Sequence, residues 1–289
     1  MPVDHTTLAV SESTVAAADG TRLHVQTAGH GKTVLLIHGL GYAAWAGAPL
    51  RARLVGAGFR YVTFDNRGTG RSDKPHGPYT IAQLADDAAN VLATEAQPPA
   101  HIIAYSLGGY VALQLALEHP ALVQTLTLIA TSAGGPGAMD VPEATRAAWA
   151  AAVGGSPEEF ARATMPLSFR PGWTENHPEA FEAILKSRLE QPTPEHAWQA
   201  QYEAGARHLS TGLDVRGIRV PALVLHGTND RILPYTNGSQ LASLLPHAQF
   251  HALEGAGHLS WIEEPEGVSA QIIDFLTNLQ SPTDAVTQN

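Results

Sequence analysis

The sequence predicts an α/β fold: a mostly parallel sheet flanked by helices, with a helical insertion. Three observations point there. Short apolar runs of strand length alternate with stretches of helix length in both halves of the chain. The block from Ser132 to about Gly212 holds no convincing strand. Strands separated by helices pair in parallel, because a parallel neighbour requires a crossover connection.

Taken in order, the first ten or so residues are polar and are expected to be loose. Arg22 to Ala28 alternates apolar and polar, as a half-buried strand does. Thr33 to His38 is a short apolar strand. Trp45 to Ala57 reads as a helix ended by Gly58, and Phe59 to Phe64 as the next strand. Thr80 to Glu95 is helical, with Thr80 placed to cap it. His101 to Tyr105 is a buried strand that turns directly into a helix from Leu107 to Glu118, stopped by His119-Pro120. Val123 to Ala130 is again a strand.

Three or four short helices are expected in the strandless block, with Pro142, Pro157, Pro178 and Pro194 near their starts. The alternation then resumes: Ala222 to His226 (strand), Tyr235 to Leu245 (helix), Gln249 to Leu253 (strand) and Pro265 to Leu279 (helix). The tail from Gln280 to Asn289 is polar and is expected to fray. The expected division is therefore a core of residues 1–131 and 213–289 and a helical insertion of residues 132–212.

Composition narrows the function. Of 289 residues, 44% are hydrophobic and 15% charged, against a usual charged share of about 25%. Disorder does not fit that balance. The net charge of −10 argues against a nucleic-acid binder, which meets phosphates with a basic stripe. Zero cysteines exclude a disulfide framework, a thiolate metal site and a thiol nucleophile. No apolar run reaches the roughly 18 residues of a membrane helix. No basic patch precedes an apolar block at the N-terminus, so a cytoplasmic enzyme is the expectation.

The sharpest chemical signal is Ala104-Tyr105-Ser106-Leu107-Gly108-Gly109, at the junction of a buried strand and a helix. It resembles the G-x-S-x-G elbow that thrusts a nucleophilic serine out of a sheet edge. Ala104 departs from the motif by one methyl group. A serine nucleophile needs a base, and the base an orienting acid. His258, in Gly255-Ala256-Gly257-His258, and Asp230, in Gly227-Thr228-Asn229-Asp230, both follow strands and stand in the order serine, acid, histidine. Asp65 and Asp214 are rivals for the acid: Asp65 reads as organising its own loop, and Asp214 ends the strandless block. A tetrahedral intermediate also needs two backbone N–H donors. Leu107 supplies one, and Leu40, in His38-Gly39-Leu40-Gly41, is assigned the other.

Other short patterns fail on context. Gly31-Lys32-Thr33 looks like the end of a phosphate loop but leads into a strand. His247 and His251 have metal-like spacing but flank a strand and lack a third partner. Arg67 and Arg71 read as structural or solvated.

With these residues in hand, the chain resembles the α/β-hydrolase family over residues 12 to 279, including the run Asp65-Asn66-Arg67-Gly68-Thr69-Gly70-Arg71-Ser72. The resemblance implies that the strandless block is the family's helical cap. It implies a cofactor-independent enzyme, with no metal, acting on an apolar small-molecule substrate. It leaves the oligomeric state open. Esterase or lactonase chemistry leads, with Ser106 as nucleophile. The family members that cleave haloalkanes or epoxides carry aspartate at that position. The alternatives are a C–C bond hydrolase of a diketone-type substrate and a small-molecule receptor on the same fold. Trp149, Phe169, Trp173 and Trp198 are the expected substrate-binding aromatics.

Overall fold

The computed structural model describes residues 9–278. Both expectations of loose ends fall largely outside that range. In chain order the elements of the first part are β1 (Val10–Ala16), β2 (Arg22–Ala28), β3 (Thr33–Ile37), α1 (Ala48–Gly56), β4 (Arg60–Phe64), α2 (Ile81–Glu95), β5 (Ala100–Tyr105), α3 (Leu107–Glu118) and β6 (Val123–Ile129). Five helices follow without a strand: α4 (Glu143–Ala152), α5 (Pro157–Thr164), α6 (Trp173–Asn176), α7 (Pro178–Glu190) and α8 (Glu195–Thr211). The last part is β7 (Ala222–Gly227), α9 (Thr236–Leu244), β8 (Ala248–Leu253), α10 (Ser260–Glu263) and α11 (Pro265–Asn278).

The eight strands form one sheet in the order β1-β2-β4-β3-β5-β6-β7-β8. The pairs β1–β2 and β2–β4 are antiparallel, and every other pair is parallel. The apolar run Val34-Leu35-Leu36-Ile37 shows why the centre reads as continuous hydrophobe. Leu35 and Ile37 join one core layer, with Leu84, Val111 and Leu241 from α2, α3 and α9. Val34 and Leu36 join the other, with Leu54 and Ile272 from α1 and α11. A strand covered on both faces has no solvent side for polar residues. Each fully buried leucine or isoleucine contributes about 1.5–3 kcal/mol.

Several expected boundaries hold for the expected reason. Thr80 Oγ1 accepts the Gln83 N–H at 3.0 Å and starts α2. Pro157 and Pro178 sit in the first turns of α5 and α7. Three details differ. β1 was not expected, because only Val15 is buried in this polar edge strand. The expected helix at Trp45 begins as a 3₁₀ turn, Ala44–Gly47, with α1 proper starting beside Pro49. The insertion holds five helices instead of three or four, and α8, at 17 residues, is not short.

Candidate active site

The site gathers where β3, β5, β7 and β8 end at their carboxyl edge. Open α/β sheets bind ligands there, because the loops diverge and leave a crevice. Ser106 stands between β5 and α3 with φ 53° and ψ −126°. A non-glycine residue in such a conformation costs about 1–3 kcal/mol and persists only where its surroundings enforce it. The surroundings are tight. A Cβ on Gly108 would lie 2.4 Å from the Ile37 carbonyl oxygen, and one on Gly109 would lie 2.3 Å from Thr131 Oγ1. The small residues of the elbow are therefore required by strand–helix contact. Ala104 is tolerated because it is still strand, fully buried between Ile37 and Leu128. Thr131, the residue after the end of β6, donates its hydroxyl to the Ser106 carbonyl at 2.8 Å.

The structure brings Asp230 and His258 together. His258 Nδ1 donates to Asp230 Oδ2 at 2.7 Å. Ser106 and His258 line the same cavity. Asp230 Oδ1 accepts the N–H groups of Ile232 (2.8 Å) and Leu233 (2.9 Å). Its Oδ2 also receives His226 Nε2 at 3.1 Å. Each carboxylate oxygen thus has two donors, which fills its acceptor capacity. Burial alone would push the Asp230 carboxyl up. Attraction to His258 and hydrogen bonds from both imidazoles outweigh that and hold it well below the ordinary carboxylate range.

His226 was not foreseen. Its Nε2 also faces the Leu233 carbonyl oxygen at 3.0 Å, while its Nδ1 is buried without a partner. Two acceptors at Nε2 assign the proton to that nitrogen. The available signal was its position at the end of an apolar strand, one helical-turn spacing before Asp230.

The rival acids are engaged elsewhere. Asp65 accepts the N–H groups of Ala44 (2.7 Å) and Arg71 (2.8 Å) and contacts His24 Nδ1 at 3.2 Å. Asp214 is exposed and bound to Arg216 through contacts of 2.8 and 2.9 Å. Arg67 is buried between Asp87 and Asp19.

The loop after β3 is pinned at both ends. Asn66 Nδ2 donates to the His38 carbonyl at 2.9 Å. Gln201, fully buried on α8, accepts the Gly41 N–H at 3.0 Å and donates to the Arg67 carbonyl at 2.9 Å. Gly41 has φ +69°, which suits glycine. Between these anchors, the Leu40 N–H has no protein acceptor among the described residues, nor has the Leu107 N–H at the start of α3. Buried amides normally find a partner, so two uncommitted N–H groups beside Ser106 can donate to an anionic oxygen. His38, beneath this loop, has its pKa lowered to about 4 by burial.

The four expected aromatics separate. Trp149 and Trp198 line the cavity, joined by Phe160 and Tyr202. Phe169 and Trp173 do not. They stack at 4.3 Å with their planes 7° apart and are buried in the layer that also holds Phe181 and Trp261. Their position in the chain could not distinguish the two roles, since either gives a buried aromatic in a helical block. The one close group of possible metal ligands among the described residues is Asp86, Glu118 and His119, outside the cavity. There a hydrogen-bond contact of 3.0 Å between His119 Nε2 and Asp86 Oδ1 accounts for the proximity of those two. No helix among the described residues is long and apolar enough to cross a membrane.

A parallel sheet with an insertion after β6, and a serine, histidine and carboxylate at its carboxyl edge, defines a class of enzymes that attack polarised bonds. Residues 32–265 match the family model of the α/β hydrolase fold, and the chain is a hydrolase of that family. A protein of Variovorax paradoxus, named as a candidate carbamate hydrolase, is 30% identical over 270 residues, covering 90% of this chain and 98% of that protein. A 2-hydroxymuconate semialdehyde hydrolase of Pseudomonas putida is 29% identical over 296 residues, covering 92% of this chain and 94% of that protein. The crystal structure of an enol-lactonase from Burkholderia xenovorans superposes with a TM-score of 0.76 at 28% identity, covering 92% of this chain and all of that one.

Proposed function

We propose that the protein is a serine hydrolase that opens a carboxylic ester or lactone through an acyl-enzyme. His258 takes the Ser106 hydroxyl proton as the oxygen attacks the carbonyl carbon. The Leu40 and Leu107 N–H groups receive the oxyanion. The alcohol departs with the proton from His258, and water repeats the sequence on the acyl group. Asp230 fixes the proton on His258 Nδ1, which leaves Nε2 as the base, and it stabilises the imidazolium that forms. The helices between β6 and β7 act as a cap that shapes the pocket.

One observation carries this reading: the 2.7 Å contact of Asp230 with His258, in a cavity that Ser106 lines from a strained elbow. The likeness to an enol-lactonase supports it. Hydrolysis of a C–C bond in a diketone-type substrate is the second reading, supported by the relative named as a semialdehyde hydrolase. Rates on aryl esters, lactones and a vinylogous diketone separate the two.

The test is a fluorophosphonate reagent with mass spectrometry of the adduct, beside Ser106→Ala kinetics. Ser106 is expected to be modified stoichiometrically, and Ser106→Ala to lose about 10⁴–10⁶ in kcat at an unchanged melting temperature. Turnover by Ser106→Ala near the original rate would sink the assignment.

A further inference from the structure

Arg188 is the one arginine or lysine that lines the cavity containing Ser106 and His258. It projects from α7, half-buried, with its guanidinium 5.1 Å from the centre of the Tyr42 ring. It also lies against the loop that carries Leu40: a Cβ built on Gly41 would sit 3.5 Å from Arg188 Nη2. Among the described residues it makes no hydrogen bond and has no carboxylate within 4.0 Å.

The missing partner does not reflect a shortage of acids, since the chain has 27 carboxylate residues against 17 cationic ones. Three other insertion arginines are paired: Arg146 with Asp140 and Glu143, Arg162 with Glu158 and Glu182, Arg170 with Glu264. Arg207 has no carboxylate partner among the described residues, but it is exposed to water and does not line the cavity. The one carboxylate that lines the cavity, Asp140, is turned to Arg146 and to the Val141 N–H. A guanidinium has five donors in a planar fork and stays charged. Half-buried in a cavity also lined by Phe160 and Trp198, it gives up part of its hydration and faces the Tyr42 ring. A second polar group shares the deficit: Tyr42 lines the same cavity, and its hydroxyl is buried without a partner among the described residues.

A planar anion satisfies both groups. A carboxylate accepts two parallel N–H bonds from a guanidinium and has lone pairs to spare for a phenol hydroxyl. We infer that Arg188, with Tyr42, recognises a carboxylate carried by the substrate, so that the substrate class is acid-bearing esters or lactones. This rests on the hydrolase reading of Ser106. The scissile carbonyl would sit at Ser106 and the free carboxylate against the guanidinium beside Gly41. A local cation is also what admits an anion into a protein of net charge −10.

The experiment compares aryl hemiesters of succinate, glutarate and adipate with the same compounds capped as primary amides at the distal carboxylate. Release of the aryl alcohol is followed. The wild-type protein is expected to favour the acid over the amide by about 10–100-fold in kcat/KM at the best chain length. Arg188→Met is expected to bring that ratio to about one, and Arg188→Lys to retain only part of it. Arg219→Met, an exposed charge control on the core, should keep the wild-type ratio. Equal use of acid and amide by the wild-type protein overturns the inference and leaves the hydrolase reading standing, as does a ratio unmoved by Arg188→Met.

If no aryl ester is turned over, the hydrolase reading fails, and binding decides the inference separately. The monoamide of adipate is then titrated into the Ser106→Ala protein, with tryptophan fluorescence reporting from Trp149 and Trp198. Saturable binding that Arg188→Met weakens tenfold or more supports the inference, and adipate diamide bound as tightly, or no saturable signal, overturns it.

Discussion

Ser106 and Trp198 face the same cavity, one from the sheet and the other from the helical insertion, and different physics holds each in place. On the sheet side directional bonds fix Asp230, the Ser106 backbone and the Leu40 loop. Asp230 has four donors, the Ser106 carbonyl holds the Thr131 hydroxyl, and the Leu40 loop is anchored through Asn66 and Gln201. On the insertion side rings lean on rings. Trp198 stacks on Tyr202 at 5.3 Å and meets Phe160 and Trp149 edge-on at 5.4 and 5.9 Å. Hydrogen bonds weaken steeply with angle, whereas apolar contact is non-directional. One wall is thus held by bonds that tolerate little displacement, and the other by apolar packing that tolerates more.

The largest expected effect lies on the sheet side. Asp230→Asn should lower kcat by about 10⁴, because an amide can turn an N–H toward His258 and present the wrong tautomer. Asp214→Asn, exposed and paired only with Arg216, should cost less than about tenfold. Kinetics of both variants beside their melting temperatures decide this. An active Asp230→Asn and an inactive, folded Asp214→Asn would reverse the assignment.

The insertion offers a sharper comparison within itself. Phe169→Ala should destabilise the fold by about 3–5 kcal/mol, because it opens a cavity in a packed layer. Trp198→Ala, half-buried at the pocket wall, should cost less stability and should shift the preferred acyl chain length. Denaturant melts and an ester chain-length series on both variants test whether packing and specificity separate as the structure separates them.

A third test uses pH. Burial lowers His38, His101 and His208 each to about 4 from the ordinary 6.5. As pH falls below 6.5 the unfolded chain binds protons that the folded protein refuses, so stability decreases with falling pH. Each group removes about 3 kcal/mol by pH 4, and above pH 6.5 none of them adds a further slope. His101 belongs to β5 and His38 follows the end of β3, while His208 stacks on Tyr110 at the seam with α8. His208→Gln should therefore make the decline in melting temperature between pH 7 and 4 shallower. An unchanged decline would show that the seam stays protonatable in the folded state.

The smallest expected change falls where the two sides join. Gln201→Met leaves the Gly41 N–H and the Arg67 carbonyl without their partner, at about 1–3 kcal/mol of stability. The Leu40 N–H is then less firmly aimed, and kcat should fall about tenfold with KM changed less than about threefold. Equal losses in the two parameters would mean that Gln201 serves binding and not the oxyanion loop.

How much of this was readable in the chain depends on the range of the interaction. Strand and helix alternation, the Ser106 elbow and the order of Ser106, Asp230 and His258 were legible, because each depends on neighbouring residues or on connection rules that constrain a parallel sheet. Burial on both sheet faces makes β3 an unbroken apolar run, and strand–helix contact demands small residues at Gly108 and Gly109. The polar edge strand β1 was missed because its pairing with β2, and not its composition, makes it a strand.

Tertiary structure alone decided the rest. His226 joins Asp230 only after β7 has turned, and Gln201 reaches Gly41 from a helix 160 residues further along. Phe169 and Trp198 are both aromatic residues of one helical block. One packs inward and the other faces the cavity because of how α5 to α8 dock on the sheet. Arg188 looks like any helical surface arginine in the sequence. Its lack of a carboxylate beside Ser106 is a property of the space around it, which no local pattern of residues encodes.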